Sequence, residues 1–337
     1  MRSVRESPVH RALMTTGGFA AFVIGCIVRP DATLGLVVLG GLFVVLERVF
    51  PLRRQKVLRP GFATDCVHFV FDEVLAGLVL AAALLTVVPL LQVVVSDVVR
   101  ECIGLQPRWV VVLEGLLLGE IAGYWGHRAT HEIGILWRFH RLHHSIETMD
   151  WLAPNRRHPV DMAFARASVA IPLIVLGFSV PTIAAHFAIK RFQGLLVHAN
   201  VRLDAGPLTW LIATPEFHHW HHADHPDAIN KSYAGQLPLV DWLFGSLHLP
   251  RPTWPERYGC GVQAPSGYLA QLIWPFQRSQ RGRVKAAVCP GESSQWASAP
   301  SPENVASALG VDDAAWGEGG SSHSHEAIGG LKLPDDG

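Results

Sequence analysis

Four apolar runs crowd the first 125 residues, at about 12–28, 32–50, 67–95 and 109–125. A bilayer core of ~30 Å is crossed by ~20 apolar residues in helical form, because a helix satisfies its own backbone N–H and C=O groups where no water can. Runs of this length, one after another, leave the chain few options besides a helical integral membrane fold. An apolar fraction of 49% and a positive mean hydropathy agree.

The charges between the runs suggest a topology. Arg2, Arg5 and Arg11 precede the first run, no small-x-small cleavage site follows it, and the second run begins at once. This reads as a span, not a secretory signal. The second run ends in a loop, 51–60, that carries Arg53, Arg54, Lys56 and Arg59. Short basic loops stay cytoplasmic, so a two-span hairpin puts both basic ends on that side. Asp65, His68, Asp72 and Glu73 crowd the start of the third run. The crossing is therefore expected over 74–95, kinked or broken at Pro89, with the four polar residues on an interfacial helix. The fourth run, 109–125, brings the chain back and carries Glu114 and Glu120, costly at membrane depth unless they face a helix partner or the interface. A later run, 163–189, is interrupted by Pro172, Gly177 and Pro181. If His158 and His198 lie on one side of the membrane, it must enter and return as a short hairpin or lie along the interface.

Between the apolar runs lie three histidine clusters. His127-Arg-Ala-Thr-His131 is HxxxH, His140-Arg-Leu-His143-His144 is HxxHH, and His218 to His222 contains HxxHH again. At ~3.6 residues per turn, spacings of three and four put side chains on one helix face, so each cluster can offer imidazoles to one point. Imidazole suits iron, zinc, copper and nickel alike, so the spacing indicates metal without choosing it.

The order HxxxH, HxxHH, an isolated His and HxxHH, set among apolar spans, resembles the fatty acid hydroxylase and sterol desaturase superfamily of membrane-bound di-iron enzymes. Neighbouring residues match as well: Tyr124-Trp125-Gly126-His127-Arg128, Trp137-Arg138-Phe139-His140, Met149-Asp150-Trp151-Leu152, Arg157-His158-Pro159, His198-Ala199-Asn200 and Asp241-Trp242-Leu243-Phe244-Gly245. The resemblance covers roughly 40–250. It implies an all-α integral membrane protein with about four transmembrane helices, a partial hairpin and a cytoplasmic histidine-rich helical cap. Within 12–275, the membrane di-iron domain, two iron ions are expected on His127, His131, His140, His143, His144, His218, His221 and His222, with His198 a ninth ligand and His158 either a tenth, a substrate contact or a support of the fold. Residues 1–11 form a basic N-terminal segment. Residues 276–337 are rich in Gly, Ser, Ala and Pro and are expected to be disordered.

The implied reaction is oxygen-dependent hydroxylation or desaturation of a lipid C–H bond. Electrons come from a separate reductase with a ferredoxin or cytochrome b5-like carrier, since the chain has no GxGxxG, CxxC or HPGG motif. A pterin serves one alkylglycerol-cleaving branch. Arg138, Arg141, Arg156 and Arg157 offer a docking face for the carrier, or anchors for lipid phosphate. The headgroup contact is placed on 149–158, with Trp151, Asn155 and Arg157 in that role. Asp161, Asp224, Glu216 and Asn200 are the candidates for orienting the imidazoles, and His186, His219, His225 and His248 are left to supporting roles. The basic loops place the active site on the cytoplasmic side, and a bacterial inner membrane is expected.

Other classes fit less well. A zinc hydrolase needs three ligands and a nearby carboxylate base, as in HExxH, which is absent. A metal transporter or sensor holds its ligands within the spans, whereas these clusters lie between them. Balanced formal charge gives no case for a nucleic-acid binder, and five scattered cysteines give none for a disulfide framework.

Overall fold

The computed structural model describes residues 30–277. The basic N-terminal segment, the expected first span and nearly all of the C-terminal tail lie outside them. The described residues are helical, and their β pairing is confined to two isolated bridges, Pro51 with Val201 and Ala223 with Tyr258.

Helix α1 (Pro30–Val49) exposes an apolar face of Leu34, Val38, Leu42 and Val45, while Phe43 turns inward against Trp151. Helix α2 runs unbroken over Phe62–Gln92. The interfacial segment and the third span expected from the sequence are thus one helix, ~46 Å long at 1.5 Å per residue. Its first turns bury Asp65, His68 and Asp72 inside the protein, and its remainder exposes Leu78, Leu85 and Leu90. Pro89 does not break α2, because it falls in the final turn. A short α3 (Asp97–Gly104) leads to α4 (Arg108–Glu132), which contains the fourth apolar run and continues beyond it through His127 and His131.

The interrupted run folds as a helical hairpin. Helix α6 (Pro159–Leu176) ends at Gly177, whose φ of +94° is the left-handed cap that suits glycine, and α7 (Val180–His198) returns. His158 caps the start of α6 and His198 ends α7, so both lie at the same end of the hairpin. Each arm is longer than a partial re-entrant loop needs. By length and composition α2, α4 and α6 are each long and apolar enough to cross a membrane, and the chain is a membrane protein.

Two devices hold these helices in place. Helices α4 and α7 meet through a stripe of small residues: a Cβ on Gly119 would lie 2.7 Å from the His186 ring, and one on Gly123 would lie 2.8 Å from Lys190 Nζ. Close backbone approach of this kind drives helix association where lipid removes the hydrophobic incentive. The second device is a buried ion ladder. Arg156 grips Asp65 at 2.6 and 2.9 Å, Arg59 grips Asp150 at 2.6 and 2.7 Å, and Arg59 also reaches Asp65 at 2.8 Å. It ties the basic loop and the 149–157 segment to the base of α2. Removing one partner of such a buried pair costs ~3–5 kcal/mol, because the other charge is left uncompensated.

Candidate metal centre

Four helix ends converge to build the site. Helix α4 delivers His127 and His131 from successive turns, and Ile133 separates it from α5 (Gly134–His144), which carries His140, His143 and His144. His198 ends α7, and α8 (Pro215–His221) brings His218 and His221 with His222 at its cap. Spacings of three and four within α4, α5 and α8 keep each cluster on one face, but the tertiary fold sorts the rings differently from the sequence clusters. One group holds His127, His131, His140, His144 and His221, the other His143, His198, His218 and His222. Within each group the candidate ligand nitrogens all lie within 4.8 Å of one another, close enough to share one ion.

The ring orientations favour that use. His127 Nδ1–H donates to the Tyr233 carbonyl at 2.6 Å, His140 Nδ1–H to Asp161 at 3.0 Å, His198 Nδ1–H to the Gly194 carbonyl at 2.6 Å and His221 Nδ1–H to the Lys231 carbonyl at 2.9 Å. An acceptor at Nδ1 fixes the tautomer and leaves the Nε2 lone pair free for a metal. The Nε2 atoms then converge: the lone pairs of His127 Nε2 and His140 Nε2 face each other 3.2 Å apart, and that of His198 Nε2 lies 3.0 Å from His218 Nε2, whose tautomer no Nδ1 acceptor fixes. Opposed lone pairs repel unless an electrophile sits between them. His131 Nε2, His144 Nε2, His221 Nε2 and both nitrogens of His222 are buried with no hydrogen-bond partner. So many orphaned buried nitrogens aimed at two points are costly in a metal-free protein and are satisfied by bound metal, so the donor set fits.

Burial disfavours the protonated form of several of these rings. It drives His143, His144, His218 and His222 well below the ordinary histidine value, with neighbouring imidazoles adding to the effect, and it lowers His221 to about 3 despite the Lys231 carbonyl. Neutral imidazole is the form that binds metal.

His158 stands outside both groups. Its Nδ1 accepts the Val160 N–H at the start of α6 and its Nε2–H donates to the Leu272 carbonyl at 3.1 Å, so both nitrogens serve the fold. Of the expected headgroup contacts, Trp151 is core, stacked on Phe43, and the buried Asn155 side chain donates to the Leu152 carbonyl. Arg157 does border the site, bonded to Asp161 at 2.7 Å. Of the expected orienting groups Asp161 takes that role, whereas Glu216 pairs with Arg251, Asp224 with Arg257, and Asn200 with the Arg53 backbone. His219 donates to the Ala199 carbonyl and accepts from the Tyr258 hydroxyl at 2.7 Å, a supporting role. The expected docking arginines do not form one exposed face: Arg156 is committed to Asp65, and Arg141 lies over the Trp274 ring.

A cavity of about 590 Å³ opens beside the histidines. His127, His140, His143, His198 and His218 line it together with Leu80, Ala165 and Phe187 of α2, α6 and α7. Tyr233, buried against His131 with ring centroids 5.2 Å apart, also lines it and escaped the sequence reading. A separate small cleft reaches His131, His144 and His221 from the loops that carry Asp224 and Asn230. The histidine centre is therefore reached on one side from a chamber between apolar helices and on the other from polar loops.

Comparison with known proteins agrees with this architecture. The family model described as fatty acid hydroxylase matches residues 112–246, which include every histidine of both groups. An ornithine lipid hydroxylase of Rhizobium tropici is 32% identical over 252 residues, 72% of this chain and 75% of that protein. The alkylglycerol monooxygenase of Danio rerio is 33% identical over 139 residues, 41% of this chain but 30% of that protein. A very-long-chain aldehyde decarbonylase of Oryza sativa is 26% identical over 148 residues, 42% of this chain and 54% of that protein. No solved structure matches. With its histidine clusters inside the matched region and a relative aligned over three quarters of its length, the chain belongs to the fatty acid hydroxylase family and is an oxidoreductase.

Proposed function

We propose that the two histidine groups hold two iron ions and that the chain is a di-iron oxygenase acting on a membrane lipid. The observation that carries this reading is the sorting of nine histidines, eight of them buried, into two groups whose members line a cavity among apolar helices. When bound, the iron pair supplies dioxygen activation, leading either to hydroxylation of a C–H bond or to removal of two hydrogens.

The chain's own part is placement and exclusion. Asp161 and three backbone carbonyls hold four rings in their donor tautomer. The cavity admits an acyl chain from the lipid side and keeps bulk water from the reacting carbon. The names of the relatives, a lipid hydroxylase and an ether-lipid monooxygenase, support a lipid as substrate. Electrons enter from a separate carrier. The basic loops support a cytoplasmic face for the site, and a bacterial inner membrane suits this topology. The functional domain is 12–275. Groups of five and four imidazoles exceed the three protein ligands of a hydrolase built on one metal and an acidic base, which disfavours that reading.

The test is metal analysis of detergent-purified protein combined with mass spectrometry of co-expressed lipids. Two irons per chain and a lipid gain of ~16 mass units, one inserted oxygen atom, that disappears in His143→Ala support a hydroxylase. A loss of two hydrogens indicates desaturation. Stoichiometric zinc with no lipid change under any electron donor overturns the proposal.

A further inference from the structure

The chamber next to the histidines is not simply greasy. Its lining includes four basic side chains, Arg157, Arg166, Lys190 and Arg191, against a single acid, Glu73. Two of the four are accounted for: Arg157 is bonded to Asp161, and Arg166 grips both oxygens of Glu73 at 2.8 and 2.7 Å. Lys190 and Arg191 are not. Among the described residues neither makes a hydrogen bond or an ion pair within 4.0 Å, and Arg191 has only the face of Phe69, 5.0 Å from its guanidinium carbon. Of the carboxylates that act on them from a distance, Glu73 is engaged in full and Glu120 in part, its Oε2 being left without a hydrogen-bond partner. Glu73 is held by Arg166, and Glu120 Oε1 accepts the backbone N–H groups of Gln236 and Leu237.

Their placement is not that of snorkelling surface residues. Phe187, Lys190, Arg191, Gly194, Leu195 and His198 recur at helical spacing along α7, and all six line the chamber. The stripe ends in a histidine of the four-membered group. Lys190 Nζ rests against Gly123, one helical turn, or ~6 Å, before His127 on α4. Two cations thus point into a low-dielectric chamber beside the reaction centre. Neither histidine group includes a carboxylate, among the described residues, to offset the positive charge that any bound metal adds. An unpaired charge in such a place is expensive unless something of opposite sign joins it.

We infer that Lys190 and Arg191 form an anion subsite, and that the chamber takes an amphiphile whose carboxylate or phosphate is held there while its chain runs past Phe187 and Leu80 toward the bilayer. This rests on the chamber being the substrate site of the proposed oxygenase.

The competing role for Lys190 is to balance Glu120, whose Oε2 is buried without a partner. A binding experiment separates the two. Full-length protein in a neutral detergent is titrated with radiolabelled palmitate, hexadecyl phosphate and hexadecanol, with sodium acetate as competitor. Iron content and lipid oxygenation are measured on the same preparation. The wild type is expected to bind at least one of the two acidic amphiphiles about tenfold more tightly than hexadecanol. Lys190→Met should remove that preference and leave hexadecanol binding unchanged, Lys190→Arg should retain it, and millimolar acetate should not compete. If Lys190→Met fails to fold, the Glu120→Gln/Lys190→Met double variant, which removes both charges, carries the test and should still lack the preference. No acid preference in the wild type, a wild-type preference in the double variant, or displacement by acetate overturns the inference. Because binding is read without turnover, absence of acid preference in the iron-loaded, active wild type refutes this subsite alone. Absence of iron and of oxygenation refutes the functional reading instead.

Discussion

Asp161 is the carboxylate that connects the fold to the metal centre, and its replacement by Asn tests whether the imidazoles are held by design. The side chain is buried, accepts His140 Nδ1–H at 3.0 Å through one oxygen, and accepts Arg157 Nε–H at 2.7 Å through the other. In Asp161→Asn the amide oxygen can still serve His140, but the amide N–H₂ then confronts the Arg157 guanidinium donor to donor. Losing one hydrogen bond to a charged group costs ~1.5–3 kcal/mol. Groups that orient metal-bound imidazoles contribute ~10–100-fold to affinity, which is ~1.4–2.8 kcal/mol at 1.4 kcal/mol per decade, so the two routes agree. The expected result is a 10–100-fold weaker hold on the metal in the His140 group, read by competition with a calibrated chelator on folded protein. Asp224→Asn is the control, because Asp224 is half exposed and pairs only with Arg257 at 3.7 Å. Metal affinity in Asp161→Asn within twofold of wild type, with the fold intact, would refute the assignment.

Three further outcomes follow from the geometry. His158→Ala should keep full metal stoichiometry while losing ~1 kcal/mol of stability with the α6 cap; loss of one metal equivalent in elemental analysis would restore it as a ligand. Gly119→Leu forces α4 away from the His186 ring on α7, an overpacking cost of ~1–3 kcal/mol that should also displace His127 and His131 from His198 and deplete metal, whereas Gly77→Ala, with open space around it, should be silent in both yield and metal content. Burial pushes the Asp241 carboxyl up to about 6, although Ser246 and the N–H groups of Tyr233 and Ala234 donate to it. A raised pKa means the folded state holds its proton longer than the unfolded chain, so this contribution is present at low pH and is lost as pH rises through 6. Unfolding measured in detergent should show wild type losing about 1.4 kcal/mol relative to Asp241→Asn between pH 5 and 7, and a pH-independent difference would contradict it.

Much of this protein was legible in one dimension because the strongest constraints on it are local. Twenty apolar residues must be helical in a bilayer, and histidines three or four apart must share a helix face, so the membrane helices and the three clusters could be read without any contact map. For 163–189 the sequence left two options if His158 and His198 lie on one side, a short hairpin or a segment along the interface, and the structure takes the hairpin. Other features were present in the sequence but needed a partner to acquire meaning. Gly115, Gly119 and Gly123 form a small-residue stripe only because Thr182, His186 and Lys190 face it. The fold alone decided that His143 leaves its cluster-mates His140 and His144 for the other group, since that depends on the angle at which α5 crosses α7 and α8. It also decided that three of the four groups orienting the rings are backbone carbonyls, which carry no sequence signature at all. His158 shows the same limit from the other side. By spacing and motif it looks like a ligand, yet the start of α6 and the Leu272 carbonyl claim both of its nitrogens, a choice made by neighbours more than a hundred residues away in one case and two in the other. Sequence fixes which donors exist and which face of a helix they share; only packing determines where each lone pair ends up pointing.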